Sequence, residues 1–292
     1  MKNYFYAWIV IFATALVQAQ GAELAGGLPG NCRVGYLIRG TNVFKVQPAL
    51  VPQFRMKLSP AGRPNLLMGN CIARLLTHTN EQPVVCLLPK EGRAADDFCW
   101  LTRKIMAVIA GDTLGIIEKD RFIHRQKLPE QGMRLEPAGQ GSCYLFGGTS
   151  EKQRCEVFLC GTNGNIAYLF HAPSPVTALA GDGKTTLAAV GSLVIFFVEG
   201  QAPVPVFAAD DEIRALALAA PDAVFYATKN RVGYHSISGK GFVFLNVGTE
   251  QLCCDGRSLY LQTLSGDILQ IEPVSGFVSV SKQLTDKPPQ TP

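Results

Sequence analysis

From Val176 onward the chain alternates short apolar runs with turns, in a pattern written three times. The first copy reads VTALAGDG, TTLAAVG, SLVIFFVEG, PVPVFAADD; the second reads IRALALAAPD, AVFYATKN, RVGYHSISG, GFVFLNVG. The third reads QLCCDG, SLYLQTLSG, DILQIEPVSG, FVSVSKQ. Each copy holds four runs rich in Val, Ile, Phe, Tyr and Thr, bounded by Gly, Asp or Asn. Consecutive antiparallel strands joined by tight turns read this way. The copies begin at Val176, Ile213 and Leu252, a period of 37 and then 39 residues. Upstream the same unit recurs less regularly, with starts at Phe54, Phe98 and Met133. Ahead of all six stands a half-unit, the two strand-like runs Val34 to Ile38 and Val43 to Val46.

One four-stranded sheet cannot bury both faces alone, so a period near ~40 residues predicts blades stacked in a β-propeller. The fold class expected is all-β, about seven four-stranded blades with six also accommodated, closed by strands from both chain ends. Seven is favoured because Leu252 to Gln283 reads as four strands of its own. The half-unit then pairs with the Phe277 to Leu284 edge, since an open ring leaves unpaired strand edges. First strands, such as Thr177 to Ala180 and Arg214 to Ala219, are rich in small residues and suit the crowded channel. Aromatics of the later strands (Phe196, Phe197, Phe242, Phe244, Phe277) are placed between blades. No helical period longer than two turns follows residue 20, which argues against an α/β enzyme.

Three stretches resemble known propeller families. Tyr144-Leu-Phe-Gly147-Gly148 resembles the aromatic and double-glycine element of kelch repeats. Ala217-Leu-Ala-Ala-Pro-Asp-Ala-Val-Phe-Tyr-Ala is similar to the second-strand region of NHL-type propellers. The adjacent Cys253 and Cys254 resemble the vicinal disulfide near the cofactor of some quinoprotein propellers, although the tryptophan repeat of that family is not met. These likenesses imply an architecture and no particular activity.

The N-terminus divides the chain further. One lysine precedes an apolar stretch from Tyr4 to Val17 that ends in Val17-Gln18-Ala19, the order of a secretory signal peptide. That stretch is shorter than the ~20 residues of a membrane span. The expected organisation is a signal peptide over 1–19, a flexible lead over 20–33, one propeller domain over 34–284 and a disordered tail over 285–292. An uncleaved anchor is the alternative. Cleavage leads to a secreted or periplasmic protein with no stable membrane insertion. With 47% hydrophobic and 17% charged residues in 292, the chain is long and apolar enough to bury a substantial core. Its net charge of +4 is spread thinly, unlike the basic footprint of a nucleic-acid binder.

Export makes disulfides possible, and the nine cysteines stand at 32, 71, 86, 99, 143, 155, 160, 253 and 254. Cys143 and Cys155 lie on successive strands of one hairpin and form the candidate disulfide, if register sets them opposite each other. Cys155 and Cys160 lie in one strand, too far apart to bond. Zinc-like spacing is absent.

Candidate chemistry is sparse. Gly183-Lys184-Thr185 has the ending of a phosphate loop, but a strand follows it, so a hairpin turn is expected. Asp210-Asp211-Glu212 lacks the alternating spacing that wraps calcium. Histidines 78, 124, 171 and 235 fall in four different repeats, and no G-x-S-x-G element occurs. No catalytic, cofactor-binding or metal-ligating residue is nominated, and no cofactor is expected. The expected function is a non-catalytic exported scaffold or assembly subunit with protein partners. The alternative is a hydrolase, lyase or quinoprotein-like oxidoreductase, for which three or more carboxylates, histidines or a metal should converge at the channel mouth.

Overall fold

The structure is a computed structural model that describes residues 16–18, 42–46, 55–68, 70–74, 85–88, 94–139, 141–220, 223–236, 241–265 and 268–272. The chain divides into two compact units. One comprises Val51–Leu76 and Glu81–Ile213, the other Met1–Leu50, Thr77–Asn80 and Arg214–Pro292. Strands β1 (Leu16–Gln18) and β2 (Asn42–Val46) precede the repeats and belong to the second unit.

The first unit holds four antiparallel sheets of four strands. They are β3 (Arg55–Leu58) to β6 (Val85–Leu87), through β4 (Pro64–Met68) and β5 (Cys71–Arg74); and β7 (Asp97–Trp100), β8 (Ile105–Ala110), β9 (Thr113–Glu118) and β10 (Arg121–Lys127). The third consists of β11 (Met133–Pro137), β12 (Ser142–Gly147), β13 (Glu156–Gly161) and β14 (Ile166–His171), with the single helical turn α1 (Glu151–Arg154) between its middle strands. The fourth is β15 (Val176–Gly181), β16 (Thr185–Val190), β17 (Leu193–Val198) and β18 (Val204–Ala208). Every sheet is a meander in chain order, as short runs separated mostly by connections of two to five residues dictate. The first strands lie side by side in series, β3 against β7, β7 against β11 and β11 against β15.

Burial follows from this stacking. Middle strands such as β8, β9, β12 and β16 are buried at four consecutive positions, so both faces meet neighbouring sheets. Strand β10, at a sheet edge, alternates between exposed and half-buried. Interleaved cores result: Cys99, Ile109 and Ile116 of the second sheet pack with Leu135, Cys143 and Leu145 of the third. On the opposite face of the third sheet, Tyr144, Phe146 and Val157 pack with Leu179, Ile195 and Phe197 of the fourth. Phe170 stacks on Phe197 with ring centroids 3.9 Å apart, which places that aromatic between sheets as its repeat position implied.

The second unit contains β19 (Ile213–Ala220), which begins at the last residue of the first unit, with β20 (Ala223–Thr228), β21 (Val232–Ser236) and β22 (Gly241–Leu245). Its other sheet runs β1-β2-β25-β24-β23, with β23 (Thr249–Cys254), β24 (Leu259–Thr263) and β25 (Ile268–Glu272) from the last repeat. Phe225, Tyr234 and Phe244, each at most 1% exposed, pack with Leu252, Leu259 and Ile271 between these two sheets. Each such side chain contributes roughly 1.5 to 3 kcal/mol of burial.

Strand β2 pairs with β25 at five positions, from Asn42↔Glu272 to Val46↔Ile268. The last repeat therefore supplies three described strands, and the N-terminal run supplies the fourth. That arrangement sets the number of four-stranded blades among the described residues at six, the smaller of the two expected counts. Seven assumed a fourth strand from Phe277 onward; that run, like Val34 to Ile38 and the tail, lies outside the described residues. Strand β1 pairs with β2 through Leu16↔Val46 and Gln18↔Phe44, inside the segment read as a signal peptide. Cleavage after Ala19 would remove β1 and leave β2 as the edge of the sheet.

Candidate functional site

Charge is concentrated on the first strands of three successive sheets. Lys57 on β3 is 4% exposed and Asp97 on β7 is 2% exposed, although both stand in otherwise apolar strands. Buried charge is costly unless paired and hydrogen-bonded, and both conditions are met. Asp97 Oδ1 accepts the Phe98 N–H at 2.9 Å, and Oδ2 accepts the Leu135 N–H of β11 at 2.8 Å. Lys57 Nζ donates to Glu136 Oε1 on β11, closing a bridge from the first sheet to the third. Burial pushes the Glu136 carboxyl above the ordinary carboxylate range, with the Asp97 charge adding and the Lys57 and Arg55 charges opposing. The arrangement ties three blades together and holds its own charges. The small, apolar character expected of first strands is found on β15 and β19 but not on β3, β7 and β11. The group consists of the Asp97 and Glu136 carboxylates and the Lys57 ammonium, with the Arg55 charge acting on Glu136.

The turn Asp182 to Thr185 joins β15 to β16 as a hairpin. Asp182 Oδ1 accepts the N–H groups of Lys184 and Thr185 at 3.0 and 2.8 Å and the Thr185 hydroxyl at 3.0 Å. These bonds, chiefly the Thr185 N–H, hold its carboxyl below the usual range. Gly183 sits at φ 88°, a left-handed conformation that favours glycine, and its N–H donates to Tyr144 Oη at 3.0 Å. The amides of this loop are thus engaged by side chains of the protein.

The remaining expected residues stay apart. Asp210, Asp211 and Glu212 follow β18, where Asp211 Oδ1 accepts the Glu212 N–H at 2.9 Å. His124, His171 and His235 stand on β10, β14 and β21, and His78 lies outside the described residues. Burial lowers the His235 pKa. Among the described residues no three His, Cys, Asp or Glu side chains form a group able to hold a metal ion. The loop Thr149 to Arg154 contains the α1 turn. Glu130 anchors its start by accepting the Thr149 hydroxyl at 2.6 Å and the Ser150 N–H at 2.7 Å.

The cysteine expectation needs correction. Antiparallel register sets Cys143 opposite Cys160, not Cys155. Cys155 precedes β13, at the end of the α1 excursion, and register carries it five residues beyond the position facing Cys143. At ~3.3 Å per residue that separation exceeds what a disulfide spans. In the structure Cys143 and Cys155 are not joined to each other. The adjacent Cys253 and Cys254 face Tyr260 and Leu259 across the ladder, and burial pushes the Cys254 thiol to about 11.

Sequence reasoning also passed over the outer strands of the first unit. Ile123 on β10, Tyr168 on β14 and Val204 on β18 are 47%, 59% and 55% exposed, so three consecutive blades each present a large apolar side chain at the sheet edge. On β10 these alternate with cations: Arg125 lies 4.1 Å over the Phe122 ring, and Lys127 lies 3.9 Å from Asp112. The signal was available in the period-2 alternation of RFIHRQK, once that run is known to be an edge.

Among the described residues, five four-stranded meanders and a sixth sheet completed by the N-terminal β2 define an all-β protein of the β-propeller class. Among solved structures, the chain is similar to the selenomethionine-substituted virginiamycin B lyase of Staphylococcus aureus at a TM-score of 0.56 and 14% identity, covering 79% of this chain and 87% of that one. A catalytically inactive variant of the same Staphylococcus aureus lyase with quinupristin gives a TM-score of 0.56 and 13% identity over the same shares. At this identity the likeness carries the fold alone. No protein-family model and no curated protein matches the chain.

Proposed function

We propose that this propeller is a non-catalytic, exported scaffold that binds protein partners along its outer strands. The observation that carries the reading is the row of exposed Ile123, Tyr168 and Val204 on the last strands of three successive sheets. Edge strands also present unpaired backbone groups, to which an extended partner segment can add. The charged residues on the first strands are engaged with one another and with backbone amides, as in a structural clamp rather than a reacting centre. Export rests on the N-terminal Lys2, the apolar stretch to Val17 and the small residue at Ala19.

Two measurements test this. A triple variant, Ile123→Ser, Tyr168→Ser and Val204→Ser, should keep the parent's circular dichroism and melting profile while losing the protein that co-purifies with the native parent. Equal recovery of that protein with the variant, or none with the parent, overturns the scaffold reading. N-terminal sequencing of the native protein should begin at or shortly after Gln20; an intact Met1 in a membrane fraction overturns export.

A further inference from the structure

The second and third sheets of the first unit enclose three thiols in one apolar core. Cys99 on β7, Cys143 on β12 and Cys160 on β13 are each 0% exposed and pack with Leu101, Ile109, Leu135 and Leu145. Cys143 and Cys160 are Cα partners in an antiparallel ladder, so their side chains leave the same face of the sheet. Directly opposed residues in such a ladder have Cα atoms ~4.5 or ~5.5 Å apart, according to the hydrogen-bonding of the pair. Both separations fall within the ~4.4 to 6.8 Å that a disulfide bridges without backbone movement. The Cys143 thiol is also within hydrogen-bonding reach of the sulfurs of both Cys160 and Cys99.

We infer that Cys143 and Cys160 are a modification site, closing as a cross-strand disulfide when the chain meets a disulfide-type oxidant while folding. The step balances as two exchanges. The Cys160 thiolate attacks one sulfur of the oxidant's S–S bond, forming a mixed disulfide and releasing one thiolate, which takes the proton of Cys143. The Cys143 thiolate then attacks Cys160 Sγ, the new S–S bond forms as the mixed disulfide breaks, and the second half of the oxidant leaves as a thiolate that takes up the proton Cys160 had released on ionising. Two protein thiols are oxidised and one external disulfide is reduced to two thiols.

Cys160 is the attacking group once the two strands are paired, because the Cys143 thiol donates to its sulfur across the ladder and holds the Cys160 pKa below the usual thiol value. Full burial sets the timing. In the packed core neither sulfur is accessible to an oxidant, so closure belongs to the hairpin before the second and third sheets pack, or to open states. Cys99 sits on the facing sheet and joins the others only after that packing, which favours Cys143–Cys160 over Cys99–Cys143.

The test uses the purified full chain, reduced and unfolded in urea, then refolded in mixed reduced and oxidised glutathione, quenched with acid and alkylated with iodoacetamide in urea so that buried thiols are reached. Trypsin leaves Cys155 and Cys160 on one peptide, so chymotrypsin is added to cut between them, at Phe158 or Leu159. The expected product is a Cys143–Cys160 linked peptide, with Cys99 alkylated. Its formation should raise the urea midpoint above that of the reduced protein. Cys143→Ala and Cys160→Ala should each erase that oxidant-dependent shift, while Cys99→Ala retains the linked peptide and guards against loss of folding as the explanation. Alkylation of both Cys143 and Cys160 when the refolded parent is denatured and trapped, or a bond from Cys143 to Cys99 or Cys155, overturns the assignment.

Discussion

Replacing Lys57 by Met tests the clamp that links the first and third sheets. The substitution keeps the unbranched stem and removes the ammonium, leaving Glu136 to face burial and the Asp97 charge without its principal counter-charge. Removing one partner of a buried pair costs ~3 to 5 kcal/mol. The Glu136 side chain retains 30% exposure, so water takes up part of the loss and the lower end, about 3 kcal/mol, is expected at pH 8. That is a large share of a ~5 to 15 kcal/mol stability. The pH dependence has a definite sign. Glu136 already titrates above its ordinary value in the folded protein, so the folded state holds its proton more tightly than the unfolded state and stability falls as pH rises through that window. Without Lys57 the folded pKa rises further, so the deficit of the variant opens with increasing pH and narrows towards pH 5. Urea unfolding at pH 5 and pH 8, followed by far-ultraviolet circular dichroism, reads both numbers. The double variant Lys57→Met/Glu136→Leu should recover most of the loss, because an apolar pair needs no solvation. A deficit equal at the two pH values, or a double variant no more stable than the single one, would refute the clamp.

Tyr144→Phe removes the hydroxyl that bonds Thr186 Oγ1 at 2.9 Å and accepts the Gly183 N–H at 3.0 Å, and should cost ~1 to 3 kcal/mol in denaturant unfolding, through buried groups left without a partner. Asp182→Ala should lower the melting temperature at pH 7 and lose that effect in acid. The Asp182 pKa is depressed in the folded state, so its contribution is present above the ordinary aspartate value and disappears as pH falls through the depressed one. Deleting residues 42–46 should lower the melting temperature by several degrees, since β25 loses its ladder partner beside Ile268 and Ile271, which are 0% and 1% exposed; an unchanged melting curve would remove β2 from the blade. Cys254 should alkylate slowly at pH 8 and faster near pH 11, because burial pushes its thiol to about 11; a rate at pH 8 typical of a free thiol would contradict that placement.

The sequence alone determined the repeat, the strand type and most turns, because those depend on local chemistry. Alternating β-branched and aromatic residues between Gly and Asp punctuation specify a meander whatever surrounds it, and Asp182-Gly183 specifies a hairpin for the same reason. Tertiary structure decided what depends on pairing across the chain. Whether the last blade takes its fourth strand from Phe277 onward or from residues 42–46 is a competition between two apolar runs of similar propensity, and only the ladder with β25 resolves it. The cysteine register was hidden for a similar reason. The α1 turn lengthens the β12–β13 connection, and the length of that excursion is not written in the alternation of either strand, so only the folded ladder sets Cys160 rather than Cys155 opposite Cys143. Lys57, Asp97 and Glu136 are ordinary charged residues in FRMKL, DFCW and MRLEP. They become a clamp only when the first strands of three sheets, dozens of residues apart, are laid side by side, where the cost of burying one charge compels the presence of the next.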